Sequence, residues 1–124
     1  MTILPSITTT KTYLDKVKET KTLGLTEVCL FLTGLDAQKR KELYGLLKKS
    51  PIKKIPFVHL RADMTLSEVE GLVENFQTEI FNVHTAMLNP LEHDLSKYKC
   101  RIYLENTFLP IDEGELAKFP GLCV

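Results

Sequence analysis

Residues 56–84 read PFVHLRADMTLSEVEGLVENFQTEIFNVH, and this stretch decides the fold. It opens on a short apolar run, Pro56–Leu60, too brief for a typical helix and suited to a buried strand. A helix-start signal follows. Thr65 stands three residues before Glu68, the spacing of a capping box in which the threonine takes the N3 amide and the glutamate reaches back. Leu66, Val69, Leu72 and Val73 then recur with helical period. A second run, Ile80–His84, closes the unit. Strand, helix and strand within 29 residues describe a βαβ crossover, which joins parallel strands.

The same alternation extends in both directions. Upstream are a weak run at Ile3–Ile7 and a clear one at Val28–Leu32; downstream are Ile102–Glu105 and Leu122–Val124. A helix is expected near Lys11–Thr22, with Leu14 and Val17 facing inward and Gly24 ending it. Another is expected over Ala37–Lys49, with Leu43, Leu46 and Leu47 inward and Pro51 stopping it. Asn89 with Glu92 and Asp112 with Glu115 repeat the spacing of Thr65 with Glu68, and Pro90 suits a first helical position. Asp36 is read as a plain cap, because Lys39 at N3 cannot accept a hydrogen bond. Caps at Asp36, Thr65, Asn89 and Asp112 are 29, 24 and 23 residues apart, the length of one strand-plus-helix unit.

Regular alternation without a long polar linker predicts an α/β protein with a parallel sheet covered by helices. An open doubly wound sheet and an eight-fold barrel compete. The chain has six glycines and no glycine-rich phosphate turn after a strand, which weakens a nucleotide-binding reading without excluding an open sheet. No domain boundary is indicated.

Composition narrows the function classes. The 124 residues carry 16 basic and 16 acidic side chains, so net charge gives no pull toward nucleic acid. The charge is uneven along the chain. Through Arg61 there are 12 basic and 5 acidic residues (+7), and from Ala62 onward 4 basic and 11 acidic (−7). Lys39-Arg40-Lys41, Lys48-Lys49 and Lys53-Lys54 are read as a solvated outer face, since no aromatic residues interleave closely with them. No membrane-length apolar stretch and no signal-peptide pattern is present, and three cysteines without a CxxC pair read as reduced thiols. A cytoplasmic protein without membrane contact is expected. Cys123 is read as core packing.

Three consecutive runs end on acid/base or metal-ligand residue types: His59, His84 and Glu105-Asn106. In parallel α/β folds reactive groups gather at the carboxyl ends of strands, and neighbouring strands lie about 4.8 Å apart. Side chains at equivalent heights therefore converge. Two imidazoles and a carboxylate suit zinc, manganese or iron(II). Tyr103 shares the strand face of Glu105 by period two, and Asn106 and Thr107 stand where they can orient Glu105 or a ligand. Arg61 and Asp63 follow His59 toward the same mouth, although Asp63 suits the turn before Thr65 better. His93 is expected on a helix, facing solvent. No nucleophile elbow or EF-hand loop is present.

Ile102-Tyr103-Leu104-Glu105-Asn106-Thr107 resembles the Leu-Glu-Asn-Thr strand of the xylose-isomerase-like TIM-barrel superfamily, which includes the apurinic endonuclease family 2 proteins. Val58-His59 and Val83-His84 match the histidine-bearing strands of that pattern, and Gly24–Phe31 resembles its second strand. Gly121-Leu122-Cys123-Val124 looks like the following strand, which in the family runs on into a metal-binding aspartate. The resemblance covers nearly the whole chain but only the first five to six units of an eight-unit barrel. It implies a partial (β/α)8 TIM barrel: residues 1–124 are expected to be a single incomplete barrel domain lacking the C-terminal strands, since a complete barrel runs to about 250 residues.

The resemblance also implies a divalent-metal site, with zinc or manganese as the cofactor. In the endonuclease branch His59, His84 and Glu105 match metal ligands. In the sugar isomerase and epimerase branch Glu105 is the principal ligand and catalytic carboxylate, and the two histidines contact substrate or support the site. Arg61, Tyr103, Asn106 and Thr107 are the expected substrate-binding or supporting residues. The function expected is metal-dependent chemistry on a sugar or sugar phosphate, isomerase- or epimerase-like, with apurinic-site endonuclease chemistry as the alternative. Zero net charge favours a small sugar-type substrate over DNA; the histidine pair favours the nuclease. A third reading is a non-catalytic half-barrel module that self-associates through open sheet edges.

Overall fold

The structure, a computed structural model, describes residues 3–85, 90–106 and 110–123. Six strands alternate with helices: β1 (Ser6–Thr8), α1 (Tyr13–Thr22), β2 (Cys29–Phe31), α2 (Ala37–Lys48), β3 (Phe57–His59), α3 (Leu66–Phe76), β4 (Ile80–Val83), β5 (Ile102–Glu105), α4 (Glu113–Leu116) and β6 (Leu122–Cys123). All six apolar runs form strands, including the weak first one.

The strands make one parallel sheet in the order β1-β2-β3-β4-β5-β6. This order decides between the two architectures. A doubly wound sheet reverses direction at a switch point, and its strand order is not sequential. Here every crossover moves one strand further the same way, as in a (β/α) barrel. The sheet is not closed: β1 pairs only with β2, and β6 only with β5. The fold is α/β, with the strand order of a partial (β/α)8 barrel.

Register assigns the two faces. Ile7, Leu30, Val58, Phe81 and Ile102 form one row across five strands. This face is sealed under the helices by Val17 of α1, Leu43 and Leu47 of α2, and Val69, Leu72 and Phe76 of α3, in one continuous core. Full burial of each such side chain contributes roughly 1.5–3 kcal/mol. Leu14 and Leu46, expected inward, are exposed at 48% and 43%; each helix is rotated so that Val17, or Leu43 and Leu47, take the core. The opposite face carries the row Thr8, Phe31, His59, Asn82 and Tyr103. In a barrel this is the inner face.

The helix ends follow the local signals in part. Asp36 Oδ1 accepts from the Lys39 amide, a plain cap as expected. Thr65 and Asp112 accept from the amides of Glu68 and Glu115. The box at Thr65 is only half made, because the Glu68 carboxylate turns away to Arg40. Gly24 at φ +64° follows the end of α1. Asn89 lies outside the described residues. In what is described between β4 and β5 there is no α-helix, only a 3-10 segment, Ser96–Arg101, kinked at Tyr98. His93 precedes that segment and is exposed, so it faces solvent but not from an α-helix.

The basic face also needs correcting. Lys39 and Lys41 are exposed, but Arg40 between them is fully buried. Its guanidinium meets Glu68, Asp63 and the Leu35 carbonyl, and Tyr44 donates to Glu68 at 2.8 Å. Burial alone disfavours the Arg40 charge, but the Glu68 and Asp63 carboxylates more than offset it. Asp63 therefore helps to fasten α2 to the loop entering α3 and does not serve the mouth of the sheet.

No helix among the described residues is long and apolar enough to cross a membrane. Cys29 is half-buried and Cys100 exposed, both free thiols; burial pushes the Cys29 thiol up. Cys123 lies in β6, but its side chain is outside the described set.

Candidate metal centre

The parallel register lifts three side chains to the carboxyl ends of adjacent strands. His59 is the last residue of β3, Glu105 the last of β5, and His84 the first beyond β4. Val83 pairs with Leu104, so His84 and Glu105 come to the same height on neighbouring strands. All three point to the inner face by the period-two alternation that sends Val58, Val83 and Leu104 into the core.

Their polar atoms converge. Glu105 Oε2 lies 3.1 Å from His59 Nδ1 and 3.3 Å from His84 Nε2. The imidazole rings meet edge to face, with centroids 4.8 Å apart. Phe31, next to His59 in register, stacks on its outer side at 6.1 Å and 18°. One donor atom from each of His59, His84 and Glu105 can be chosen so that all lie within 4.8 Å of one another.

Asn82 ties the group together. Its Oδ1 lies 2.9 Å from His59 Nδ1, and its Nδ2 donates to Glu105 Oε2 at 2.8 Å. Asn82 is buried and sits directly beside His59 in register. Sequence reasoning missed it as a site residue, although a signal existed: it stands two residues before His84 and so shares its strand face.

The environment is graded. The His59 side chain is 7% exposed, whereas those of His84 and Glu105 are each 34% exposed. Burial lowers the His59 pKa below the ordinary histidine value; the Glu105 carboxylate opposes this, and His84 and Arg61 reinforce it. His59 is thereby kept neutral, the form that ligates metals.

The remaining expected residues divide. Arg61 is half-buried and near enough for its charge to act on His59. Tyr103 lies on the inner face beside Asn82 in register, with its ring against the open Cα of Gly121. Asn106 is exposed, and among the described residues no hydrogen bond joins it to Glu105. Thr107 lies outside the described residues. A groove of about 530 Å³ runs between α2 and α3, bordered by Lys41, Tyr44, Gly45 and Gly71. It belongs to the helical surface, and no metal-donor group of the kind found at the sheet mouth converges there among the described residues.

The donor set can be tested against metal chemistry. Zn–N and Zn–O bonds of about 2.0–2.2 Å in a tetrahedron place neighbouring donors about 3.3–3.5 Å apart. The His84–Glu105 separation of 3.3 Å matches one such edge. Two imidazoles and one carboxylate are also the donor set of a class of catalytic zinc sites, in which a fourth position is left to water or substrate. The residues present fit a divalent cation.

Comparison with known protein families, curated proteins and solved structures gives no match. The chemistry of the site therefore rests on its own side chains.

Proposed function

We propose that His59, His84 and Glu105 hold a divalent cation, zinc or manganese, and that this centre serves metal-dependent chemistry on a sugar or sugar phosphate. The observation that supports the reading is the convergence of two imidazoles and a carboxylate at the carboxyl end of a parallel sheet with sequential strand order. This is the place where such sheets build active sites. A bound cation there supplies Lewis-acid polarisation of a carbonyl or hydroxyl oxygen.

The chain's own groups supply the rest. His84 and Glu105 present the solvent-accessible polar edge to which an incoming ligand has access. His59 stays neutral and buried behind them. Arg61 places a positive charge near the site, suited to an anionic substituent such as a sugar phosphate. Balanced net charge supports a small substrate over a polyanion.

The histidine pair favours a second reading, hydrolysis at apurinic sites, in which two imidazoles and a carboxylate serve phosphodiester chemistry. Metal analysis and turnover separate the readings. Stoichiometric zinc or manganese in the wild type, lost in Glu105→Gln, is expected. With metal bound, isomerisation across a ketose panel supports the sugar reading, and cleavage of an abasic oligonucleotide overturns it in favour of the nuclease. A chain that takes up neither ion, with Glu105→Gln changing nothing, is instead a non-catalytic module.

A further inference from the structure

We propose that Asn82 is the positioning residue of the centre: it holds neutral His59 as the Nδ1–H tautomer, leaving His59 Nε2 to engage a cation, and it steers the Glu105 carboxylate. The inference rests on the metal reading for its last consequence only; the tautomer and the carboxylate placement are properties of the metal-free protein.

The geometry decides the tautomer. His59 Nδ1 faces two oxygens, Asn82 Oδ1 at 2.9 Å and Glu105 Oε2 at 3.1 Å. Asn82 Oδ1 stands in hydrogen-bond geometry to Nδ1 and can only accept, so that nitrogen must carry the hydrogen; Glu105 Oε2 is close to it but makes no hydrogen bond with it among the described residues. The orientation of the Asn82 amide is determined by the same contacts. Its nitrogen end lies 2.8 Å from a Glu105 carboxylate oxygen, which only accepts, so Nδ2 belongs there and Oδ1 belongs toward His59. A flipped amide sets oxygen against carboxylate and N–H against N–H, both unfavourable.

Burial makes this arrangement firm. Asn82 is 3% exposed and His59 5% exposed, so water cannot easily replace either partner, and the Phe31 ring lies nearly parallel to the imidazole with centroids 6.1 Å apart. Histidines that ligate metals commonly donate the other ring N–H to a carbonyl or carboxylate, which sets the ring angle and raises the basicity of the ligating nitrogen. Asn82 fills that role toward His59 and, with the other end of the same amide, holds Glu105 Oε2 near His84. One side chain thus aligns two of the three donors.

Long-range ¹H–¹⁵N spectra of the full chain, with and without added Zn²⁺ alone, test the proposal. Three histidines keep the assignment simple. In metal-free protein above pH 7, His59 is expected to show a protonated Nδ1 and an unprotonated Nε2, and zinc is expected to shift Nε2. Asn82→Leu is expected to lose the tautomer preference and to bind zinc about 10–100-fold more weakly. Asn82→Asp, which keeps an acceptor toward His59 and loses the donor toward Glu105, is expected to keep the tautomer. A metal-free wild type with the hydrogen on His59 Nε2 overturns the inference, as does zinc coordination through Nδ1. If the wild type binds no zinc, the metal reading fails and the metal-free tautomer still decides the role of Asn82.

Discussion

Arg40 Nε lies 2.7 Å from Glu68 Oε1, a contact that links the first turn of α2 to the first turn of α3 across 28 residues of chain. All five guanidinium N–H groups find oxygen: Glu68 takes Nε and one Nη2 hydrogen, and Asp63 and the Leu35 carbonyl take the others. The Arg40 side chain is 0% exposed, Glu68 14% and Asp63 43%. Breaking a buried pair leaves an uncompensated charge, whereas a partner with access to water relaxes.

Glu68→Ala is therefore expected to destabilise the chain by about 3–5 kcal/mol, since it also orphans the Tyr44 hydroxyl. Asp63→Ala is expected to lose no more than about 1 kcal/mol, because solvent screens its half of the network. Urea unfolding followed by circular dichroism measures both. Equal losses would mean that the two carboxylates carry Arg40 alike and that burial does not rank them.

Helix α3 ends on an unusual residue. Gln77 adopts φ +53°, ψ 40°, with its amide bonded to the Leu72 and Val73 carbonyls. The left-handed region costs a residue with a Cβ roughly 1–2 kcal/mol, and glycine escapes that penalty at some expense in unfolded-state entropy. Gln77→Gly is expected to raise stability by about 0.5–1 kcal/mol, seen as a higher urea midpoint at unchanged slope. Gly24→Ala provides the converse. At φ +64°, with no atom within 4 Å of an added Cβ, it is expected to cost about 1 kcal/mol through backbone conformation alone.

These two sites show how far the chain could be read in advance. Gly24 announced the end of α1, while nothing in the residue type of Gln77 announced the end of α3. The central strands β2 to β5 were legible because a buried parallel strand is a short apolar run, whereas β1, Ser6–Thr8, carries only Ile7 as an apolar residue and was legible only weakly. Helix existence was legible at α1, α2 and α3, but helix rotation was not: Leu14 and Leu46 fit the period as well as the residues that are buried, and only contact with the sheet selects the face. Arg40 looked solvated because it stands between two exposed lysines; its partners, Asp63 and Glu68, lie on the next unit. The same distant contact drew Glu68 away from its own helix end. His59, His84 and Glu105 were readable because each ends a run. Asn82 went unnoticed because its meaning depends on register with β3 and β5, which sequence spacing does not display.

A buried hydroxyl beside the centre gives a third prediction. Thr85 follows His84, is 1% exposed, and its Oγ1 has no hydrogen-bond partner among the described residues. An unsatisfied buried polar group costs about 1–3 kcal/mol, and an apolar group of the same shape removes that cost. Thr85→Val is expected to stabilise the chain by about 1 kcal/mol with zinc affinity unchanged. Destabilisation on thermal or urea unfolding would show that the hydroxyl makes a bond through ordered water.

The depressed pKa of His59 predicts the acid response. Burial penalises its protonated form in the folded chain, and Glu105 only partly offsets this. In the unfolded chain the imidazole titrates near the ordinary value of about 6.5. Between that pH and the lower folded pKa, the unfolded state binds the extra proton, so folding stability falls as pH falls. The contribution is fully present above about pH 6.5 and is lost progressively below it, with a slope of at most about 1.4 kcal/mol per pH unit for one group. Urea titrations of metal-free protein from pH 7.5 to pH 5 are expected to show this decline, and His59→Gln to flatten it. Stability that instead rises on acidification through this window would place His59 as a charged partner of Glu105, with the ion pair outweighing burial.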